Sequence, residues 1–179
     1  EDSNIKVAQS INEAKSLREE SKDNIVFMEG DLLIPARDSD NKIWSVQAIQ
    51  KNGFKSFASG GKKTGNYCIV GGQTALKDAK AIVVSEGYAT SKSVEKVAKK
   101  EDAATVAAFD SNNLLGVVKS LHELHPDKPI IIAGDDDKAS ELKPPRYENA
   151  GKEKAIAAAN AVNGSYVLPV FGVGEAERG

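Results

Sequence analysis

The fold is decided by a stretch that reads Ala81-Ile82-Val83-Val84-Ser85-Glu86-Gly87. Consecutive apolar residues without polar alternation are typical of a strand buried on both faces of a sheet. A second such run, Pro129-Ile130-Ile131-Ile132-Ala133, ends in Gly134 and three aspartates, and helix-like segments separate the runs. Strands that alternate with helices in this way predict a parallel sheet with helices on both faces.

The other elements of this part continue the alternation. Ala103 to Phe109 is a further apolar run, and a segment with helical spacing follows it. The predicted order is strand 81–84, helix 90–100, strand 103–109, helix 112–124, strand 129–133, helix 149–162 and strand 165–170. Ligands of such sheets bind at the carboxyl ends of the strands, so we expect the functional site at that edge.

The sequence before residue 73 has a different pattern. Apolar residues recur at three-residue steps from Ile5 to about Glu20, which predicts an amphipathic helix. Short β-rich runs separated by Asp, Asn and Gly turns then predict a small antiparallel lobe. Its strands are expected at 32–35, 43–49, 54–57 and 67–70. We therefore divide the chain into an N-terminal helix at 1–24, a β lobe at 25–78 and an α/β domain at 79–179.

Composition indicates an ordinary globular protein. The 179 residues are 40% hydrophobic and 28% charged, with a formal net charge of -2. The single cysteine, Cys68, cannot form an intramolecular disulfide, which favours a reducing compartment and a cytoplasmic location. No run approaches the roughly 18 apolar residues of a membrane helix, so no membrane association is expected. The sequence begins with Glu1 and not with Met, and we expect it to be part of a longer polypeptide.

Positive charge is concentrated in one segment. Residues 41–77 contain six lysines and no acidic residue, so the other 142 residues carry a formal charge of -8. Such a segment is expected to meet a polyanion such as nucleic acid, and a merely solvated lysine surface is the alternative. Gly60-Gly61-Lys62 resembles part of a phosphate-binding P-loop, but Lys63 stands where that motif needs Ser or Thr.

Acidic residues follow two of the predicted buried strands. Glu86 follows the first strand, and Asp135, Asp136 and Asp137 follow the strand at 129–133. Both groups should lie at one edge of the sheet, where carboxylates would repel each other unless a divalent cation neutralised them. All-oxygen ligands favour Mg²⁺ or Mn²⁺ over Zn²⁺. Because side chains alternate along an extended chain, we expect Asp135 and Asp137 to be the ligands, with Asp136 as an additional candidate.

These segments resemble a Toprim domain, the module shared by topoisomerases, bacterial-type primases and some nucleases. The resemblance covers about residues 80–170 and is greatest to the variant in plasmid and phage primases, which is often fused to mobilisation proteins. It rests on the segments Val83–Thr90, Ala107–Leu114, Ile131–Asp137 and Glu148–Lys152. Segments of the preceding lobe, at 33–38, 42–47 and 55–62, are similar to the subdomain that precedes Toprim in primases.

The resemblance implies a DNA primase-type nucleotidyltransferase that makes primers on single-stranded DNA from nucleoside triphosphates. It implies Mg²⁺, or Mn²⁺, bound at Glu86, Asp135 and Asp137, and Glu86 would either ligate the metal or help to deprotonate the attacking hydroxyl. The lobe and the Toprim domain would form a groove for the template. Its phosphate-binding residues would be Arg37, Lys55, Lys62 and Lys63. Other domains of a larger replication or conjugation protein, a helicase or a relaxase would be the partners.

Three further residues at the expected edge are candidates for the site, and two of them have more than one interpretation. Asp110, after the second buried strand, either ligates metal or caps the helix that follows, and Asn149 is ambiguous in the same way. Gly87, like Gly134, removes a side chain where a phosphate or backbone must come close.

Two other functions stay open. A Toprim nuclease would use the same three acids to cut DNA, whereas a catalytically silent DNA-binding or docking module of a conjugative relaxase would use none of them. A topoisomerase would also need a nucleophilic tyrosine in a separate domain, which we do not find in these residues. A receiver-type phosphoacceptor is disfavoured because its acidic pair follows the first strand, and Glu86-Gly87 supplies no such pair.

Overall fold

The computed structural model describes residues 6–7, 26–142, 148–172 and 174–175. The chain divides into two compact units, Glu1–Asn66 and Tyr67–Gly179. Within the described ranges, no helix has the length and apolar character needed to cross a bilayer.

The first unit contains two small sheets. Its strands are β1 Lys6–Val7, β2 Val26–Phe27, β3 Leu32–Arg37, β4 Ile43–Ile49 and β5 Lys55–Phe57. β1 and β2 form a parallel pair, and β3, β4 and β5 form the predicted antiparallel sheet in sequence order. Turns join these strands where the sequence places Asp38 to Asn41 and Asn52-Gly53, and both Asn41 and Gly53 have positive φ.

The second unit is built on a five-stranded sheet with the strand order β10-β9-β7-β8-β6. Its elements are β6 Cys68–Val70, α1 Gln73–Asp78, β7 Ala81–Ser85, α2 Tyr88–Ala98, β8 Ala103–Ala107, α3 Ser111–Leu124, β9 Ile130–Ala133, α4 Lys138–Leu142, α5 Ala150–Asn160 and β10 Ser165–Val167. A short 3-10 turn, Lys99–Glu101, follows α2. Four strands are mutually parallel, and β6 runs antiparallel to β8 at one edge.

Helices cover both faces of this sheet, which confirms the predicted fold class. One face packs on α3 and α5, through the fully buried residues Ile82, Val84, Val106, Leu114, Val117 and Ala155. The other face packs on α2, through Val83, Ala98 and Ala133. The uninterrupted apolar runs of the sequence are therefore explained by strands that are covered on two sides.

Two predictions for the N-terminal part need correction. The strand predicted at 67–70 does not join the β lobe, because Cys68–Val70 pairs with β8 in the five-stranded sheet. The helix predicted from Ile5 to about Glu20 is wrong at Lys6–Val7, which form a strand, and the rest of that helix lies outside the described residues. The ranges 1–24, 25–78 and 79–179 stay a prediction of domain organisation.

A close contact at Gly134 joins β9 to α5. A β-carbon built on Gly134 would lie 2.5 Å from the β-carbon of Ala155 and 3.1 Å from a methyl carbon of Leu168. Ala155 is fully buried on α5. Gly134 is thus needed for packing between the sheet and the helix, a close approach of protein atoms, whereas room for a phosphate there stays a prediction.

Gly134→Ala should lower the free energy of unfolding by about 1–3 kcal/mol, because an added methyl group in a closed contact forces neighbouring atoms apart. Gly116→Ala is the matched control, since Gly116 is exposed inside α3 and a β-carbon there would meet nothing within 4 Å. That change should raise the free energy of unfolding by about 0.5–1 kcal/mol. Urea unfolding of both variants measures the difference, and a stabilising effect of Gly134→Ala would contradict the packing argument.

Candidate active site

Glu86 lies at the carboxyl end of β7, the central strand of the five. The neighbours of β7 in the sheet are β9 on one side and β8 on the other. The turn that carries Glu86 is held by the buried hydroxyls of Ser85 and Ser91, which hydrogen-bond to each other between β7 and α2. The Ser85 hydroxyl also donates to the Gly87 carbonyl at 3.3 Å. The backbone turn that carries this carboxylate is therefore held by contacts between β7 and α2.

The ionised form of the Glu86 carboxyl group is electrostatically unfavourable. Burial, as the largest cause, together with the charges of Asp135 and Asp137 and a smaller contribution from Asp110, raises its pKa from 4.5 to about 7. Lys154 acts in the opposite direction. Among the described residues, the buried Oε1 atom of Glu86 has no hydrogen-bond partner. A buried carboxylate oxygen without a partner is costly, and it indicates a place for a cation or a donor that binds there.

The aspartate loop at 135–137 is tied to α5 by Asn149. Asn149 is buried, and its side-chain oxygen accepts hydrogen bonds from the backbone N–H of Lys152 at 3.2 Å and of Asp137 at 3.0 Å. Its amide nitrogen donates to the Asp136 carboxylate. Asn149 is thus the N-cap of α5, as one of the two interpretations predicts, and it also positions the aspartate loop.

The three aspartates differ in surroundings. Asp136 is held by Asn149, and Asp137 Oδ2 accepts from the Gly151 N–H at 3.3 Å. A β-carbon on Gly151 would lie 2.8 Å from the Asp135 carbonyl oxygen, so only glycine lets α5 begin this close to the loop. Of the three, Asp135 and Asp137 are the ones whose charges act on Glu86.

Asp110 caps α3. Its carboxylate accepts from the Asn113 N–H at 3.0 Å, which is the capping interpretation of this residue. The preceding residue, Phe109, has a φ of 76°, an uncommon value for a residue other than glycine, so the chain turns sharply between β8 and α3. The same turn brings the Asp110 charge within reach of Glu86. Capping and a role at the acid cluster are thus compatible.

Sequence reasoning missed Lys154. This lysine lies on α5, and its ammonium group donates to Ser111 Oγ at 3.2 Å and to Asn112 Oδ1 at 2.7 Å, at the start of α3. Among the residues that the structure describes, it is the one cation that acts on the pKa of Glu86, and it lowers that pKa. The sequence contains a signal for this residue, namely a lysine on the same helix face as small residues that are buried. Lys154 lies three residues after Gly151 and four before Ala158.

The charges of Asp135 and Asp137 act on Glu86, yet the three side chains are not already arranged as a metal site. Within the described part of the chain, no group of three or more His, Cys, Asp or Glu side chains could hold a metal ion as it stands. Mg²⁺ commonly takes only one or two carboxylates from a protein and completes its shell with water and substrate phosphates. The hard oxygen donors and the unpartnered Glu86 oxygen fit an ion of this kind.

The glycine expected to give room beside Glu86 has an ordinary backbone. Gly87 is the N-cap of α2 with φ -100° and ψ 150°, a conformation open to most residues. Its role at the site stays a prediction.

The predicted phosphate-binding residues all lie in the first unit. Arg37 ends β3 and donates to the Asn41 carbonyl at 2.8 Å, and Lys55 is exposed at the start of β5. Lys62 is exposed, and the Lys63 ammonium lies 5.5 Å from the centre of the Phe57 ring. The acid cluster belongs to the second unit.

Glu86→Gln should stabilise the metal-free protein above about pH 7 and have little effect near pH 4. Folding raises the pKa of Glu86 from 4.5 to about 7, so the folded state holds this proton more tightly than the unfolded state does. Stability therefore falls as the pH rises through this window, and the loss is complete above it. Gln carries no charge at any pH. Thermal unfolding in EDTA, followed by circular dichroism across this pH range, measures the difference.

A matched control for this series is Glu101→Gln, which removes one carboxylate at an exposed position after α2. It should not reproduce the gain in stability at high pH. A Glu86→Gln variant whose stability follows the unmodified protein at every pH would contradict the repulsion described above.

Asn149→Ala should lower the free energy of unfolding by about 1–2 kcal/mol, because α5 loses its cap and Asp136 loses its donor. Asn149→Asp keeps the capping oxygen but places a second carboxylate against Asp136. In EDTA, its loss of stability should be greater at neutral pH than at about pH 4, where carboxylates become protonated. Urea unfolding at the two pH values tests this, and an equal loss at both would contradict the geometry.

Comparisons of the sequence with known proteins find relatives among DNA primases. No protein-family model matches the chain. Two proteins of Escherichia coli named DNA primase TraC are 51% and 47% identical to it over 142 residues, or 79% of this chain. The chain spans only 10% and 13% of the length of these two relatives.

Solved structures of primases share the fold. The primase fragment of the bacteriophage T7 primase-helicase protein matches with a TM-score of 0.54 and 17% identity, over 82% of this chain and 56% of that one. The DnaG primase catalytic domain bound to single-stranded DNA matches with a TM-score of 0.54 and 13% identity, over 95% of this chain and 56% of that one. The chain is therefore homologous to a segment of the TraC primases, and its fold is that of primase catalytic domains.

Proposed function

We propose that this chain is the catalytic part of a DNA primase and that its second unit is a Toprim domain. In this function it joins nucleoside triphosphates into a primer on single-stranded DNA, with Mg²⁺ or Mn²⁺ as the metal. The observation that carries the proposal is the half-buried carboxylate of Glu86, which has an unpartnered oxygen and a pKa raised by burial and by the charges of Asp135 and Asp137. It occurs in a chain that is 51% identical over 142 residues to a protein named DNA primase TraC.

The chemistry is a phosphoryl transfer in which a 3′ hydroxyl attacks the α-phosphate of a triphosphate and pyrophosphate leaves. Such reactions depend mainly on positioning and on neutralising charge. A divalent cation bound to these carboxylates would supply that neutralisation at the phosphates. Asp135 and Asp137 would be its ligands from the loop after β9, and Glu86 would face it from β7. Asn149 would hold the loop in place, and Lys154 would limit the repulsion when no cation is bound.

The first unit would contribute binding of the template. The acid-free segment at 41–77 has six lysines, and phosphate attraction dominates the affinity of proteins for nucleic acid. Arg37, Lys55, Lys62 and Lys63 would bind phosphates of the template or of the triphosphate. Because the chain spans about a tenth of its TraC relatives, we propose that it works within a larger replication or conjugation protein.

Asp135→Asn and Asp137→Asn should each reduce primer synthesis by about a hundredfold or more, because a metal supplies several kcal/mol of charge stabilisation in the transition state. The assay contains the chain, single-stranded DNA, labelled ribonucleotides and Mg²⁺, and products are separated by length. Asp102→Asn is the matched control, since Asp102 lies at the amino end of β8 and the acid cluster lies at the carboxyl ends of the strands. It should keep the activity of the unmodified chain.

Three results would contradict the proposal. Shortening of the DNA in place of primer formation would favour the nuclease. Binding of DNA without any product, unchanged in both aspartate variants, would favour a silent docking module. Synthesis that persists in EDTA would exclude the role of the carboxylates as metal ligands.

A further inference from the structure

Trp44, the only tryptophan of the chain, is exposed although its neighbours on the same face of β4 are covered. Alternate residues of a strand share a face, so Trp44 lies on the side of Val46 and Ala48. Those two pack with Phe27 and Ala58 in the small core of the first unit. Trp44, at the start of the strand, is 40% exposed. Its ring is therefore not needed to complete that core.

The indole ring is held in a fixed orientation. Its Nε1–H donates to Asp38 Oδ2 at 2.5 Å. The same carboxylate accepts from the backbone N–H groups of Asp40 and Lys42, so it belongs to the turn between β3 and β4. An exposed side chain that is held by a turn loses little freedom when a ligand binds, which favours affinity.

The ammonium groups of two lysines lie over this ring, so a base that stacks on a face occupied by a lysine would displace that ammonium group towards the adjoining phosphate. The Lys42 ammonium is 4.2 Å from the ring centre, and the Lys62 ammonium is 5.8 Å from it. Both distances are within the range of a cation–π contact. A phosphate that flanks a base on this ring would therefore meet positive charge. The nearby negative charge of Asp38 is partly offset, because its carboxylate accepts three hydrogen bonds.

The glycine pair at 60–61 explains how Lys62 reaches the ring. The Lys62 N–H donates to the Trp44 carbonyl at 3.0 Å, so the loop runs directly along β4. A β-carbon on Gly61 would lie 2.7 Å or less from the side chain of Ser45 and 3.0 Å from the Trp44 carbonyl. Only glycine permits this approach. The segment that resembles a P-loop thus serves to place a lysine beside an aromatic ring.

We propose that Trp44 stacks on an unpaired base of single-stranded nucleic acid, while Lys42 and Lys62 bind the adjoining phosphates. This inference rests on the proposed function for the nature of the partner, and it adds the mode of binding. Aromatic side chains in a positively charged groove are the usual means of holding single strands without sequence preference, since every base has a π-face. Trp is the amino acid with the largest such surface.

The tryptophan itself reports the contact. Titration with oligothymidylate should quench its fluorescence, because a base in stacking contact deactivates the excited indole. An oligonucleotide with the same number of phosphates but abasic at every position should bind more weakly and leave the emission nearly unchanged. Equal quenching by the two would show that charge alone brings the strand to this surface, and it would overturn the stacking.

Substitutions supply the second test, with affinity measured by the anisotropy of a labelled oligothymidylate. Trp44→Leu keeps an apolar side chain without a π-face and should weaken binding by about five- to hundredfold, the range for loss of one stacked base. Trp44→Phe keeps a ring and should retain most of the affinity. Phe54→Leu is the matched control, since Phe54 is an exposed aromatic residue before β5, and it should bind like the unmodified chain. Circular dichroism verifies that each variant is folded.

The possible failures are distinguishable. Unchanged affinity of Trp44→Leu, with strong binding of DNA by the unmodified chain, would overturn the stacking and leave the proposed function intact. Absence of any binding of single strands by the unmodified chain would overturn both.

Discussion

Repulsion between carboxylates at one edge of the parallel sheet is the constraint around which the second unit is organised. β7 lies between β9 and β8, so the residue that follows it is flanked by whatever follows those two strands. Here the three positions supply Glu86, the aspartate loop and Asp110. Burial is the largest cause of the raised pKa of Glu86, and the charges of Asp135, Asp137 and Asp110 act in the same direction. In the absence of a bound cation, replacing Glu86 with an amide would remove this unfavourable charge.

The strand ends made much of this site predictable. Apolar runs at 81–84 and 129–133 indicate buried strands, and the acids stand directly after them, so their convergence follows from parallel topology alone. Alternation of side chains along an extended chain is the sequence-based reason for preferring Asp135 and Asp137 to Asp136. The backbone after Ala133 does not continue as a strand, so simple alternation does not apply there. What distinguishes Asp136 is its hydrogen bond to Asn149, thirteen residues away, and no local pattern contains that contact.

Other features depended on tertiary structure in the same way. Cys68-Ile69-Val70 looks like a short strand in any sheet, and its membership of the larger sheet is decided by pairing with β8, more than thirty residues later. Lys154 interrupts the apolar face of an alanine-rich helix, which is a detectable irregularity, but only the neighbouring start of α3 explains it. Gly60-Gly61-Lys62 resembles part of a phosphate-binding loop in the sequence. The constraint on Gly61 in the structure is its distance to Ser45 on β4.

The helix α5 connects the stability of the fold with the charge balance of the site. At its start it holds the aspartate loop through Asn149, and one turn later it carries the lysine that offsets the charge on Glu86. Both contacts require the helix to lie very close to the loop, and that closeness exists because Gly134 and Gly151 have no side chains. A β-carbon at either glycine would move the helix away from the acids. Residues with no ionisable group therefore control how strongly the carboxylates repel, so a change in packing at this helix is also a change in the electrostatics of the site.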